Sequence, residues 1–304
     1  MEHTKNDLTQ IIEKELDFAD LFRILFNSKW LFMGITALIS VIALIYSLSL
    51  PDLYKSSALL SPVKEDTTLN SSSRSLSSNL ANFAGISLPT NGSSNSVQAI
   101  EKIQTLSFFE DSILPNIFLP DLMALESWNK DSNTILYDDS LYNIETQSWN
   151  ALPSLQKSYK AFKKLLAVSE DKNTGFVSIS IKHQSPYVAK LWTNLIVEEI
   201  NHFFRVKDKA QSEAARNYLN SQMMQTNFAE IKQVIAHLLQ QRTQRLMLLE
   251  ASEFYVFEYI DPPAAMEVKA EPSRLLICIV GFILGIFLSG FIIFTHYFIS
   301  NSRS

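Results

Sequence analysis

The residues that come closest to a reactive centre are Glu199-Ile200-Asn201-His202, which match the Glu-x-x-His unit that di-iron helix bundles use to hold metal. Such a site needs a second unit of the same kind and further glutamates, and His237 has none nearby. Three adjacent acid pairs, Glu110/Asp111, Asp138/Asp139 and Glu198/Glu199, could in principle supply a general acid and base. Neighbours in sequence point apart on a helix or strand, so these pairs read as solvated faces. Gly-x-Ser-x-Gly, His-Glu-x-x-His and a phosphate-binding P-loop are all absent. Cys278 is the only cysteine, which excludes an intramolecular disulfide and any cysteine-based zinc site. No catalytic residue, cofactor or metal ligand is therefore expected. A net charge of −5 and a pI near 5.6 give no basic field for a phosphate backbone, so nucleic acid is not an expected partner.

What the sequence does supply is two apolar runs. Leu275 to Ile299 contains no Lys, Arg, Asp or Glu, and its 25 residues suffice to cross a hydrocarbon core of about 30 Å. Trp30 to Leu50 is a second uncharged run, flanked by Lys29 on one side and by Tyr54 and Lys55 on the other. A cleaved signal peptide competes for this first run, since Ser47-Leu48-Ser49 is a small-x-small triplet. The long acidic segment before it, the length of the run and Pro51 weigh against cleavage. Inside the second span Gly281, Gly285 and Ser289 recur every four residues, a ridge of small side chains that lets another helix backbone approach closely. Only four residues follow residue 300, so no output domain is expected behind the span. Lys and Arg are balanced at the two sides of the spans and do not fix the orientation.

Between the spans the pattern is mixed. Residues 51–63 alternate as a strand, and residues 64–98 are rich in serine and asparagine and read as a mobile loop. Helical spacing begins at Val97, and Ser107-Phe108-Phe109-Glu110 reads as a capping box opening another short helix. Residues 119–153 are aromatic and turn-rich, with no assignable element. Val177, Ile179 and Ile181 alternate with Ser178, Ser180 and Lys182 behind the turn Asp171-Lys172-Asn173-Thr174-Gly175, which predicts a hairpin with one buried face. Ser185 and Pro186 then open a helix, or a broken pair of helices, that meets no proline or glycine until Pro262. Its apolar stripe thins in the middle and returns as a candidate oligomer seam at Met224, Phe228, Ile231, Ile235 and Leu238. Phe254 to Ile260 reads as a returning strand, and Pro262, Pro263 and Pro272 as a stiff extended linker.

Taken in order, these features resemble a known family. Leu50-Pro51-x-x-Tyr54, the island Asn82-Phe83-Ala84-Gly85-Ile86-Ser87-Leu88, the Asp-x-x-Thr-Gly hairpin, a long helix with Gln241 and the run from Leu246 to Ala251, Ile260-Asp261-Pro262, and Pro272-Ser273-Arg274 before a glycine-bearing last span are similar to the Wzz-type polysaccharide co-polymerases. These are chain-length determinant proteins of bacterial inner membranes. The resemblance implies an α+β fold: two transmembrane helices flanking a periplasmic α/β base domain, with a long extended helical projection. It divides the chain into a cytoplasmic tail over 1–29, a first span over 30–50, a base over 51–186, a projection over 187–253, a returning strand and linker over 254–273, a second span over 274–299 and a short tail over 300–304. It also implies a homo-oligomer in the inner membrane that sets O-antigen length beside a separate Wzy-type polymerase and the growing lipid-linked polysaccharide. The absence of a fused tyrosine-kinase domain points to the kinase-free branch. The competing readings are an inner-membrane component of a polysaccharide exporter, a two-span ligand sensor and an anchored hydrolase.

Overall fold

The computed structural model describes residues 28–63, 95–251 and 254–301. They fall into two compact units, one containing both long apolar helices and the other made from residues 53–269. The first apolar helix, α1 (Lys29–Ser49), stops because Leu50 precedes Pro51 and takes extended backbone at φ −76° and ψ 135°. The second apolar helix, Arg274–Asn301, is the last of the chain and is called α8 below. Both are long and apolar enough to cross a membrane.

In the larger unit, β1 (Tyr54–Pro62) buries Tyr54, Ala58 and Leu60 on one face, the period-2 pattern of a strand with a single core side. α2 (Asn95–Ile103) buries Ala99 and Ile103 and takes in residues 95–98, where the serine- and asparagine-rich composition predicts loop; the rest of the predicted loop and the N-terminal tail lie outside the described residues. α3 (Leu106–Phe108) passes into a π-helical turn, Phe109–Ile113, and a 3-10 turn, Leu114–Asn116. Its cap is Thr105, whose Oγ1 accepts from the Phe108 N–H at 3.2 Å, and not the expected Ser107. Ser107 lies inside the turn, where its hydroxyl accepts from Lys102 Nζ at 2.8 Å.

After α4 (Leu119–Met123) come two small hairpins, β2 (Leu125–Asn129) with β3 (Thr134–Tyr137), and β4 (Tyr142–Asn143) with β5 (Ser148–Trp149). Strands this short have little core of their own, and aromatic edges supply one. Buried Tyr142 meets Trp149 at 5.0 Å, Phe118 at 5.9 Å and Tyr137 at 6.0 Å between ring centroids. α5 (Leu155–Leu165) leads directly into β6 (Leu166–Glu170), which forms the predicted hairpin with β7 (Val177–His183). Gly175 closes that turn at φ 73°, a left-handed conformation that favours glycine. β8 (Phe257–Asp261) completes an antiparallel sheet in the order β6-β7-β1-β8, with an irregularity in the β1–β8 register at Leu59/Leu60.

The sheet is covered by the first half of α6 (Pro186–Gln225), a helix about 60 Å long at ordinary helical rise. Its Ala189, Trp192, Ile196, Ile200 and Phe204 recur at three- and four-residue intervals and are all buried in the core with Val177, Ile179 and Ile181. Past Phe204 only Ser212 of α6 is buried, so the helix outruns the base. Phe254 onward must come back to the sheet, and one side chain fastens it there. Asn201 of α6 is 6% exposed, and its Oδ1 accepts from the backbone N–H groups of Val256 at 2.7 Å, Phe257 at 3.0 Å and Tyr255 at 3.3 Å. Its Nδ2 donates to the Phe257 carbonyl at 3.0 Å. Each orphaned buried partner costs about 1–3 kcal/mol, so Asn201→Leu should lose about 3 kcal/mol or more. Chemical denaturation of the purified full chain, followed by far-UV circular dichroism, reads this loss.

Candidate functional site

Two helix surfaces are the candidates for action, the pairing face of the spans and the length of the projection. Within the first unit α1 and α8 pack antiparallel: Thr36 meets Gly285 and Ser289, and one to two turns along, Ala43 meets Gly281. A Cβ built on Gly281 would stand 2.3 Å from the Ala43 Cβ, and one on Gly285 would stand 3.2 Å from the Thr36 carbonyl oxygen. The first distance is impossible for real atoms, so the approach of the two backbones depends on glycine. Thr36 Oγ1 and Ser289 Oγ lie 3.1 Å apart, and each is 2.9 Å from a carbonyl of its own helix, Phe32 O and Ile286 O respectively; with one proton on each hydroxyl, one donates across the pair while the other donates within its own helix. In lipid, where apolar contact alone gives helices no preference for one another, small residues and such bonds set the register. At one end of the pair Arg274 Nη2 lies 2.9 Å from Asp52 Oδ1. Both side chains are more than a third exposed, so this ion pair contributes less than about 1 kcal/mol.

The projection is a helical hairpin. α6 ends at Gln225, Thr226 turns to extended backbone, and α7 (Ala229–Ala251) runs back along α6, with Lys209 Nζ 2.8 Å from Glu250 Oε1. Met224 and Phe228 therefore sit on either side of a break and share no continuous heptad. The break needs no glycine or proline, because the β-branched Thr226 and the following Asn227 are weak helix formers. Of the five seam residues, Ile235 is 7% exposed and packs within the chain, whereas Met224 is 87% and Phe228 68% exposed. Ile231 and Leu238 are exposed too. The linker starts close to the sheet: Ser56 Oγ donates to the Ala264 carbonyl at 2.8 Å, with Pro263 buried and Pro262 exposed. Pro272 follows a cis peptide bond just before α8.

The groups singled out for possible chemistry are dispersed. Glu199 Oε1 accepts from Asn116 Nδ2 at 3.4 Å, and among the described residues no three His, Cys, Asp or Glu side chains gather closely enough to hold a metal. Between Glu199 and His202, Ile200 packs in the core and Asn201 carries the hydrogen bonds to the returning strand. A polar cluster that sequence reasoning missed sits where β7 meets α6. The His183 Nε2 is 3.0 Å from the Asp121 carbonyl oxygen, and its Nδ1 accepts from the Ser185 N–H at 3.0 Å. Those contacts fix the neutral ring with the proton on Nε2. Trp192 packs edge-on against the ring at 5.2 Å. Burial holds the His183 imidazole below its ordinary 6.5, partly opposed by its bonds and by the Asp121 charge. Burial also raises the Asp121 carboxyl against the Tyr137 hydroxyl bonded to it at 2.6 Å. On β8, burial followed by the Glu198 charge pushes the Tyr259 phenol up to about 12.

Two predictions follow from this geometry. Gly281→Leu should force α1 and α8 apart and lower the thermal midpoint of the span pair in detergent, while Gly290→Leu, with nothing within 4 Å of its added Cβ, should leave it unchanged. For His183 the folded pKa lies below the unfolded value of 6.5, so its contribution to stability is complete above that pH and drains away as pH falls below it. The loss should appear as stability that falls with falling pH just below 6.5, and the protection factor of the Ser185 amide, corrected for the intrinsic pH dependence of exchange, should fall in the same window. Asp121 acts in the opposite sense, in the carboxylate range. His183→Gln, which keeps a donor for Asp121, should flatten the slope.

Residues 14–112 match the family model described as Wzz, chain length determinant protein, the family that the sequence resembles. No curated protein matches the chain. Among solved structures the chain is similar to one titled full-length bacterial polysaccharide co-polymerase, at 11% identity and a TM-score of 0.40, covering 93% of this chain and 98% of that one. It is also similar to a fragment of WzzB, a polysaccharide co-polymerase from Salmonella Typhimurium, at 12% identity and a TM-score of 0.29, covering 73% of this chain and 100% of the fragment.

Proposed function

We propose that the chain regulates polysaccharide chain length as a non-enzymatic, oligomeric scaffold of the bacterial inner membrane, acting on O-antigen assembly beside a separate Wzy-type polymerase. The observation that carries this reading is the match of residues 14–112 to the chain-length determinant family. In this reading both termini are cytoplasmic and residues 51–272 are periplasmic, with the growing lipid-linked polymer held near the projection. Exposed Met224, Phe228, Ile231 and Leu238 support an oligomer in which projections lie side by side, because monomeric proteins rarely leave such a series of apolar residues to water. The spacing of Gly281, Gly285 and Ser289 supports a tight span pair as the base of each subunit.

Deleting the gene should leave polymer synthesis running and spread the products toward a broad, mostly short distribution on a polysaccharide gel. Ile231→Asp with Leu238→Asp places charge on the exposed side of α7 and spares buried Ile235, so the protein should reach the membrane at normal levels and yield an altered modal length. A deletion strain that makes no polymer at all would point to an enzyme. Wild-type length control in the double mutant would remove the seam from the account.

A further inference from the structure

The charge on the base is not evenly spread. α5 carries Lys157, Lys160, Lys163 and Lys164 and no acid, within a chain whose net charge is −5. Ser158 and Phe162 are the buried side of this helix, and the four lysines fill the opposite side, all exposed. The segment of small hairpins, residues 125–149, has the reverse character, with five acids against the single Lys130. Glu126, Asp131, Asp139 and Glu145 are exposed there. Among the described residues none of the four lysines is ion-paired with any of these acids within the chain. One chain thus carries two unpartnered faces of opposite sign on different elements, each of which repels itself and attracts the other.

We propose that the lysine face of α5 on one copy docks against the acidic hairpin lobe, residues 125–149, of the next copy. Because the two faces differ, the contact is heterologous, and its repetition closes a ring or extends a chain of subunits. The charges steer encounter and fix the register of neighbouring base domains, while apolar contacts elsewhere add strength. This rests on the oligomeric part of the proposed function and assigns it a specific, salt-sensitive contact.

The test mixes full-length chain of natural isotope content with full-length 15N-labelled chain, reconstitutes both in lipid nanodiscs and treats the assembly with a zero-length carbodiimide. This reagent activates a carboxylate and joins it to a lysine amine in direct contact, with loss of water as the amide forms. Mass spectrometry should find peptides of mixed isotope content joining the α5 lysines to Glu126, Asp131, Asp139 or Glu145. Raising salt from about 0.1 M to about 1 M, where screening shortens from roughly 10 Å to 3 Å, should reduce them about tenfold. Lys160→Glu with Lys164→Glu should abolish the native pattern. Combining that variant with a Glu126→Lys, Asp139→Lys chain should restore mixed-isotope cross-links in the reversed sense. Mixed-isotope cross-links that avoid both faces, or links here only within one copy, would overturn the contact while leaving an oligomer standing. A chain that stays monomeric at every salt concentration would overturn the contact and the oligomeric reading together.

Discussion

The base depends most on the four hydrogen bonds of Asn201. α6 leaves the sheet and runs about 60 Å, and the chain has to return to form β8 beside β1. An edge strand reached after such an excursion gains little from local propensity, since its pairing must overcome the closure entropy of everything between. Asn201 offsets this by binding the return point from the helix already packed on the sheet, through three N–H groups and one carbonyl. The excursion is thereby anchored at both ends. His183 fastens the outgoing end to α4 and the start of α6, and Asn201 fastens the incoming end to the same helix.

A different constraint organises the spans. Lipid gives no hydrophobic reason for α1 and α8 to associate, so contact distance matters, and the Gly281–Ala43 approach leaves no room for another methyl group. Thr36 and Ser289 add one interhelical hydrogen bond beside it. Both devices use small residues, which permit a close approach without placing charge in the bilayer. The projection instead leaves apolar residues in water, a cost that makes sense when a neighbouring surface covers them.

How much of this was legible in the sequence varied with the range of the interaction. The apolar helices could be read directly, because a bilayer demands an uncharged run of known length. The β6–β7 hairpin was legible from the alternation at Val177, Ile179 and Ile181 and a turn ending in Gly175. That β7 also pairs with β1, with Tyr54 opposite His183, is a distant choice that no local period encodes. The hairpins between Leu125 and Trp149 have strands too short for a period and are held by ring contacts around Tyr142. In the Glu199–His202 motif the two titratable ends carry the chemical signal in the sequence, whereas in the fold the Asn201 amide between them carries the hydrogen bonds to the returning strand. The break at Thr226 was open to either reading, since propensity alone produced it without glycine or proline.

The central claim is that this chain governs an enzyme without performing its chemistry. It is tested most directly by reconstituting a purified polymerase with lipid-linked repeat units in vesicles, with and without the full-length chain, and measuring both the rate of repeat incorporation and the length distribution. The account predicts little change in total incorporation and a narrowing of the products around one modal length. A distribution unaffected by the chain, or polymer growth by the chain in the absence of the polymerase, would contradict it.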